Sequence, residues 1–215
     1  MDADTRLDRL AALIASSPHN LVSASQRTTV RDTHIAEAAA IAAVLPAGAG
    51  QTWIDLGTGG GLPGLVCAAI QPSVRWMLID ASRKKIDAVT GFAAELVLPN
   101  VTAVWGRAEV LAHDRAYRGQ ADGVVSRAVA PLPTLLELAR GFLRRGGWCV
   151  AVKGPSADDE IAASEGARAI LGFGPVHRSG LLPTVRPTIV VSMRARTGVP
   201  PGYPRRDGLP STNPL

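Results

Sequence analysis

The chain has 215 residues, a length that fits one domain with short extensions at either end. Hydrophobic residues make up 47% of it, enough to fill a core, so wholesale disorder is excluded. The formal net charge of +5 and the pI near 9.9 favour an anionic partner, nucleic acid first. The arginine-rich composition of a high-GC genome would produce the same charge.

The compartment follows from the cysteines and the hydropathy. Cys67 and Cys149 each lie in an apolar run, as small reduced core residues do, so we predict a cytoplasmic protein without a disulfide framework. The N-terminal residues 1–9 lack the apolar core of a secretory signal. No stretch approaches the ~18 apolar residues of a membrane span, which predicts a protein without membrane contact.

Hydrophobic periodicity predicts alternating strands and helices along most of the chain. Helices are predicted at Leu7–Ala15, Thr33–Val44, Pro63–Ile70, Arg83–Leu98 with Ser82 as N-cap, Leu132–Leu143, and from a capping box at Ser156 and Asp159 to Leu171. Strands are predicted at Thr52–Leu56, Val74–Ile79, Val101–Trp105, Gly123–Ser126, Trp148–Val152 and Thr188–Met193.

This alternation is typical of parallel βαβ units, so the expected fold is α/β and Rossmann-like, with helices on both faces of a mostly parallel sheet. Residues 1–48 are interpreted as an N-terminal helical extension and 49–196 as the main domain. Residues 197–215 are rich in Pro and Gly and are predicted to form a C-terminal tail that cannot be a regular helix.

The most informative stretch is a glycine-rich segment, DLGTGGGLPG, that runs from Asp55 to Gly64 between a strand and a helix. Glycines allow a tight turn and let bare backbone approach a ligand. In a doubly wound sheet, ligands bind beyond the carboxyl ends of the strands, where this loop is expected. The sequence therefore predicts a cofactor site here, with an empty glycine turn as the unspecific alternative.

The spacing of the glycines distinguishes between cofactors. A dinucleotide fingerprint starting at Gly57 and Gly59 would require glycine at position 62, which is Leu62. The pattern is better described as D-x-G-x-G-x-G, ending at Gly61. Asp55 would repel a pyrophosphate but suits the ammonium group of a cofactor with an amino-acid end. These features favour S-adenosylmethionine, and a second acid, Asp80 at the end of the next predicted strand, is placed to bind ribose hydroxyls.

Several segments together resemble the RsmG (GidB) family of 16S rRNA guanine-N7 methyltransferases, from about Asn20 onward. The segments that carry this resemblance are Asn20-Leu21-Val22, His34-Ile35, the loop from Asp55 with its Leu-Pro-Gly ending, Asp80 with Lys84-Lys85, Ser126-Arg127-Ala128, and Lys153-Gly154. The tail from Tyr203 to Leu215 is similar to that of actinobacterial members. The resemblance implies a class I methyltransferase fold with S-adenosylmethionine as cofactor.

The resemblance also implies roles for individual residues. Gly57 and Leu62 would line the cofactor site, and Ala108-Glu109 would hold the adenine side. Arg127 would lie at the junction of cofactor and substrate. Lys84 and Lys153 match positions associated with the active site or its RNA surface, so both are catalytic candidates together with Arg127. Candidate phosphate contacts around them are Arg27, Arg31, Arg83, Lys85, Arg205 and Arg206.

The chain departs from the family pattern mainly on its expected RNA side. Thr33 stands where the family usually has Arg, and Glu37-Ala38 stands where it has Asp-Ser. Gly60 replaces a common Pro, and Ala81 replaces a common Ser. Cofactor use is therefore more firmly predicted than the identity of the target.

Methylation of guanine N7 fits the lack of a catalytic base in the sequence. N7 already carries an in-plane lone pair, so the transferase needs chiefly to align nucleophile, methyl group and sulfur. No Ser/His/Asp or Cys/His arrangement stands out, and the four histidines lack metal-ligand spacing, so no metal is expected.

The sequence thus predicts a cytoplasmic enzyme that methylates N7 of a guanine in 16S rRNA or the small ribosomal subunit. A monomer is favoured, although the sequence does not determine the oligomeric state. Three alternatives stay open at this point: a methyltransferase on another RNA or a small molecule, a non-catalytic cofactor-binding RNA-binding module, and a nicotinamide dehydrogenase.

Overall fold

A computed structural model describes residues 1–19, 21–182, 184–185 and 187–215, with only the backbone of Leu181. The predicted motif residue Asn20 therefore lies outside the described residues. The α-helices are α1 Ala3–Ser16, α2 Ala36–Val44, α3 Gly64–Ile70, α4 Arg83–Glu95, α5 Ala108–Leu111, α6 Leu132–Arg140, α7 Ala157–Ala163, α8 Glu165–Leu171 and α9 Leu209–Thr212. The strands are β1 Thr52–Leu56, β2 Arg75–Asp80, β3 Val101–Trp105, β4 Ala121–Arg127, β5 Leu143–Lys153, β6 His177–Leu181 and β7 Ile189–Arg194.

These strands form one sheet in the order β3-β2-β1-β4-β5-β7-β6. The strands β1 to β5 are parallel to one another, whereas β7 is antiparallel to both β5 and β6. The chain order reverses between β1 and β4, and a crevice opens at such a switch point beyond the carboxyl ends of the strands. The predicted α/β fold with a mostly parallel sheet is confirmed.

Two hydrophobic cores lie on opposite faces of the sheet, because side chains alternate between faces along each strand. One core joins Trp53 and Trp76 to the apolar stripes of α1, α2, α3 and α4. The other joins Ile54 to α6 and α8. Residues Leu7, Leu10 and Ile14 of α1 belong to the first core, so the N-terminal helix packs directly on the sheet domain.

Two predicted helices differ from the structure in their bounds. The polar segment before α2 contains a 3-10 helix, Ala24–Thr29, and a π-helix, Arg31–Ile35, so the α-helix predicted from Thr33 begins only at Ala36. The helix predicted from Ser156 to Leu171 is broken at Ser164, which is buried and whose hydroxyl donates to Ile161 O at 2.7 Å. Ser156 makes no side-chain cap bond and instead contacts Glu160.

The other differences concern strands, caps and the tail. The segment Arg144–Gly147, predicted to end a helix, lies within β5, where the pairing with β4 shifts register. The strand β6 was not predicted, because His177–Leu181 lacks alternating apolar residues. Ser82 precedes α4 without capping it by its side chain. Contrary to prediction, the C-terminal segment contains a short helix, α9.

Candidate active site

The glycine-rich loop is folded around the buried carboxylate of Asp55. Oδ2 of Asp55 accepts hydrogen bonds from Thr58 Oγ1 at 2.7 Å and from the backbone N–H of Gly64 at 2.8 Å. Gly64 must be glycine, because a Cβ there would lie 2.7 Å from this same oxygen. The carboxylate thus fixes both ends of the loop between β1 and α3.

The second oxygen of Asp55 is left without a partner. Oδ1 is buried and accepts no hydrogen bond from the described residues. Burial in this apolar surrounding is the main reason why the pKa of Asp55 is raised from 3.8 to about 6, against the hydrogen bonds from Thr58 and Gly64, which lower it. A cationic group near Oδ1 would stabilise the ionised form.

Asp80 connects the loop with the end of the neighbouring strand β2. Its Oδ2 accepts from the backbone N–H of Gly59 at 2.9 Å, and its Oδ1 accepts from Ser82 N at 2.8 Å. Lys85 Nζ lies 3.9 Å from Oδ2. Since each carboxylate oxygen has two lone pairs, Asp80 is oriented by the backbone and keeps acceptor capacity toward the cleft.

A cleft of about 360 Å³ opens beside these residues, at the carboxyl edge of β1, β2 and β4. Four of the predicted site residues line it: Gly57, Asp80, Ala108 and Glu109. Lys85, which was predicted as a phosphate contact, also lines it. Lining residues that were not predicted to be cofactor-binding, catalytic or phosphate-contacting are Leu56, Ile79, Ala81, Gly106, Arg107, Ala128, Val129, Ala130, Leu138 and Ser211. The volume lies in the range of small-molecule sites.

Other predicted site residues lie around the cleft rather than on its wall. Asp55 and Leu62 are buried beneath the loop, and Gly59 and Gly61 form its turns. Arg127 ends β4 next to the lining residues Ala128–Ala130, its guanidinium donating to Glu37 Oε2 at 2.6 Å. Glu37, one of the departures from the family pattern, also accepts from Thr188 Oγ1 at 2.7 Å.

The two lysines predicted to act with Arg127 differ in their surroundings. Lys84 is exposed on the first turn of α4. Lys153 is nearly buried, with a side chain 9% exposed; its Nζ lies 2.6 Å from Glu160 Oε2 and donates to Ala130 O at 2.8 Å. Lys153 therefore holds a cleft-lining segment in place.

Gly57 faces two constraints at the floor of the cleft. Its φ of +72° lies in the left-handed region that favours glycine. A Cβ at this position would also collide with Cγ2 of Val129, which packs over the glycine. Neither Val129 nor its role as the opposite wall could be inferred from the glycine pattern, since it lies 72 residues further along the chain.

The C-terminal segment closes one end of the cleft. Ser211 lines the cleft, and the backbone N–H of Gly208 donates to Glu109 Oε1 at 3.2 Å. Arg107 bridges Glu109 Oε1, at 3.0 Å, and Asp207, at 2.8 Å. No sequence signal pointed to Ser211 as part of the site.

An ion pair anchors this segment to the body. The guanidinium of Arg205 lies against the fully buried carboxylate of Glu137, with Nη2 at 2.7 Å from Oε2 and Nε at 2.9 Å from Oε1. The backbone N–H of Arg205 donates to the same carboxylate at 2.7 Å. Thr134 Oγ1 adds a buried hydrogen bond to Pro210 O at 2.9 Å.

The chain matches a sequence model of the family described as "rRNA small subunit methyltransferase G" (GidB) over residues 6–182. The chain belongs to this family. The relative of that name from Deinococcus radiodurans is 45% identical over 171 residues, which span 75% of this chain and 65% of the relative. The one from Moorella thermoacetica is 34% identical over 200 residues, spanning 91% and 82%.

Solved structures with low sequence identity share the fold. A S-adenosylmethionine-dependent O-methyltransferase from Thermotoga maritima aligns with a TM-score of 0.61 at 14% identity, over 80% of this chain and 70% of its own. Fibrillarin from Aeropyrum pernix, solved with bound S-adenosylmethionine, aligns with a TM-score of 0.55 at 18% identity, over 74% and 73%. The predicted class I methyltransferase fold, RsmG membership and S-adenosylmethionine as cofactor are confirmed.

The residues present fit this cofactor. The unpartnered Oδ1 of Asp55 offers a buried anionic acceptor for an ammonium group, and Asp80 offers acceptors for ribose hydroxyls. Among the described residues, no group of three or more His, Cys, Asp or Glu side chains could hold a metal ion. In the same residues, no helix is long and apolar enough to cross a membrane.

Proposed function

We propose that this chain transfers the methyl group of S-adenosylmethionine to N7 of a guanine in the 16S rRNA of the small ribosomal subunit, in the cytoplasm. The family match over residues 6–182 is the observation that carries this proposal. The cleft at the topological switch point agrees with this proposal, and so do the carboxylates of Asp80 on its wall and Asp55 beneath the neighbouring loop. We further propose that the enzyme acts as a monomer without membrane contact.

The cofactor would lie along the cleft in a defined direction. Asp55 and the loop Gly57–Gly61 would receive its amino-acid end, Asp80 its ribose, and Ala108 with Glu109 its adenine. Bound there, S-adenosylmethionine supplies an electrophilic methyl group on a sulfonium. Leu62 supports the loop from below, where it is 5% exposed.

Transfer of a methyl group to N7 does not require the protein to remove a proton from the guanine. The N7 lone pair would be the nucleophile and bound S-adenosylmethionine would supply the methyl group, so the protein would act by aligning the two and by excluding water. Arg127 is placed beside the cleft to orient the guanine or a neighbouring phosphate. It would not donate to N7, because that bond would occupy the attacking lone pair.

We assign different roles to the two lysines. Lys84 is exposed on α4, next in the chain to the cleft-lining Lys85, and would contact an RNA phosphate. Lys153 would act as a positioning residue, since its Nζ is engaged by Glu160 and Ala130 O. Residues 1–48 and 197–215 would flank the methyltransferase domain of 49–196, with the C-terminal tail forming a wall of its cofactor site.

The direct test is methyl transfer to purified small subunits from a strain that lacks the gene for this chain. The product is digested to nucleosides, and mass spectrometry is expected to detect one 7-methylguanosine that is absent without enzyme. Methylation of another base, or of no rRNA form despite cofactor binding, would contradict the proposal. Arg127→Lys is expected to lower turnover, with Arg115→Lys, on an exposed loop, as the matched control.

A further inference from the structure

A second concave surface lies at the opposite edge of the sheet from the cofactor cleft. It encloses about 530 Å³ and is lined by Arg145, His177, Arg194 and Arg196, together with Gly146, Gly174, Pro175 and Ala195. We call it the basic groove. It is built where β5 begins, β7 ends and β6 runs along the sheet edge, so the cationic side chains come from three adjacent strands and their ends.

The three arginines of the basic groove form no ion pair within the described part of the chain. Among the described residues, none of Arg145, Arg194 and Arg196 lies within 4.0 Å of a carboxylate. The neighbouring arginines do: Arg144 pairs with Asp122 at 2.6 Å and Arg178 with Asp158 at 2.7 Å. Carboxylates thus form ion pairs with the arginines on either side of the groove, and among the described residues none pairs with an arginine of the groove itself.

An aromatic side chain holds part of the cluster in place. The guanidinium of Arg194 stacks over Trp148, 4.2 Å from the ring centroid, and donates to Gly146 O at 3.2 Å. His177 meets the same indole edge-on at 6.3 Å. Trp148 and Arg194 are directly paired across β5 and β7, so their side chains share one face. Arg194 is therefore oriented before any ligand arrives.

Several like charges gathered in a concave surface repel one another, and a bound anion relieves that repulsion. Three guanidinium groups around one groove match the fork geometry with which arginine binds phosphate. An aromatic ring among the cations is also typical of single-stranded nucleic-acid surfaces. The ligand class indicated is therefore a phosphodiester backbone.

The position of the groove separates it from the site of methyl transfer. Trp148 aligns through Gly123 with Trp53, near the start of β1, whereas the cofactor loop follows the end of β1. With ~3.3 Å per residue and ~4.8 Å per strand, the groove lies on the order of 20 Å from Gly57. A folded RNA can reach both places at once.

We propose that the basic groove binds backbone phosphates of the RNA substrate at a distance from the methylated base and thereby anchors the substrate. This inference rests on the proposed function for the nature of the RNA. It adds a contact surface that is independent of the cofactor cleft and of Arg127, Lys84 and Lys153.

The test compares Arg145→Gln/Arg196→Gln with Arg9→Gln/Arg115→Gln, which removes the same charge from exposed sites outside the groove. Affinity for small-subunit rRNA is measured against salt concentration, and S-adenosylmethionine affinity and melting temperature serve as folding controls. We expect the groove variant to bind RNA about tenfold more weakly and to reduce the salt slope by about 1.5, with unchanged cofactor affinity. The control variant is expected to stay close to the parent.

The outcomes separate the two proposals. If the parent methylates rRNA and the groove variant binds RNA like the control, the groove proposal is overturned alone. If the parent methylates no rRNA, yet only the groove variant loses RNA affinity, the proposed function fails and the groove stands. A parent that binds inorganic phosphate in the groove without binding RNA overturns both.

Discussion

Asp55 is subject to two opposing demands. Burial favours its protonated form, whereas binding of a cofactor ammonium group would require the ionised form. Its folded-state pKa of about 6 exceeds the ordinary 3.8, so between these values the folded chain binds more protons than the unfolded chain. Stability from this group is therefore greatest below pH 4, falls as pH rises toward 6, and stays reduced above it. The shift corresponds to about 3 kcal/mol.

Asp55→Asn is expected to remove this pH dependence, because its amide oxygen can still accept from Thr58 and Gly64. Relative to the parent, the variant should gain up to about 3 kcal/mol in unfolding free energy between pH 4 and pH 7. It should bind S-adenosylmethionine more weakly, since the anionic Oδ1 is lost. Urea unfolding and calorimetry at several pH values measure both; a stability difference that does not vary with pH would contradict the assignment.

Gly57→Ala tests the two constraints on the cofactor loop separately. The left-handed backbone conformation costs ~1–2 kcal/mol for alanine, and the clash with Val129 adds a packing term. We expect lower stability and weaker cofactor binding. Adding Val129→Ala should restore only the stability that the clash removes and leave the backbone cost in place. A double-mutant cycle with unfolding free energies measured in urea separates the two contributions.

Gly91→Ala provides the matched control for this cycle. Gly91 lies inside α4, where a Cβ would meet nothing within 4 Å, so alanine should stabilise the chain by ~0.5–1 kcal/mol. If both substitutions had the same sign, the argument from backbone conformation would fail.

At the scale of elements, the C-terminal tail depends on one buried carboxylate. Arg205→Met would leave Glu137 buried without its guanidinium, which costs ~3–5 kcal/mol for a buried pair. Since the tail places Ser211 at the cleft, we also expect cofactor affinity to fall about tenfold. Thermal melting and calorimetry measure the two effects.

The neighbouring Arg206→Met is the control for this variant, since Arg206 is exposed and has no ion-pair partner among the described residues. Arg205→Met/Glu137→Leu removes both charges and should recover stability without recovering cofactor affinity. Two outcomes would contradict a role of the tail in shaping the site. One is that the double variant recovers cofactor affinity together with stability, and the other is that Arg205→Met does not lower cofactor affinity.

The elements that the sequence predicted well are those with local signals. The strand β1 has its predicted bounds because an apolar run meets a glycine cluster, and β3 likewise has its predicted bounds. The strand β6 and the antiparallel insertion of β7 depend on partners elsewhere in the sheet, which periodicity does not reveal. The break at Ser164 has the same origin, since that serine is buried by tertiary packing.

The residues of the candidate site also fall into two groups, those with a local sequence signal and those without one. Gly57 and Asp80 were predicted from motifs at strand ends, and both line the cleft. Val129 and Ser211 come from segments that reach the cleft only through the fold, so no local pattern marks them. Fewer basic side chains are available around the cleft than predicted, because Arg205 and Lys153 are held by carboxylates.

At the scale of the molecule, each of the two hydrophobic cores contains one cysteine, whose labelling can be used to detect opening of that core. Cys67 lies in the core beside α3 and Cys149 in the core on the opposite face of the sheet. Burial raises the pKa of Cys149 to about 12 and that of Cys67 well above 9.0, so neither forms a reactive thiolate while folded. Labelling of either thiol therefore requires unfolding.

We expect both cysteines to react with a thiol reagent at one common rate, set by global unfolding of a single cooperative unit. S-adenosylmethionine at 100 times its Kd should slow labelling of both about 100-fold. Mass spectrometry of quenched samples resolves the two sites. Fast labelling of one cysteine alone would indicate that its face of the sheet opens independently.

The carboxylate of Glu37 joins segments that are far apart in the chain, accepting from Arg127, 90 residues away, and from Thr188, 151 residues away. A fragment that began at the glycine-rich half of the protein would lose this carboxylate and leave Arg127 without its counter-charge. It would also lose α1 and α2, two of the four helices that cover one side of the sheet. The smallest fragment able to hold Arg127 in place must therefore include α2, and a truncation series should be designed around that helix.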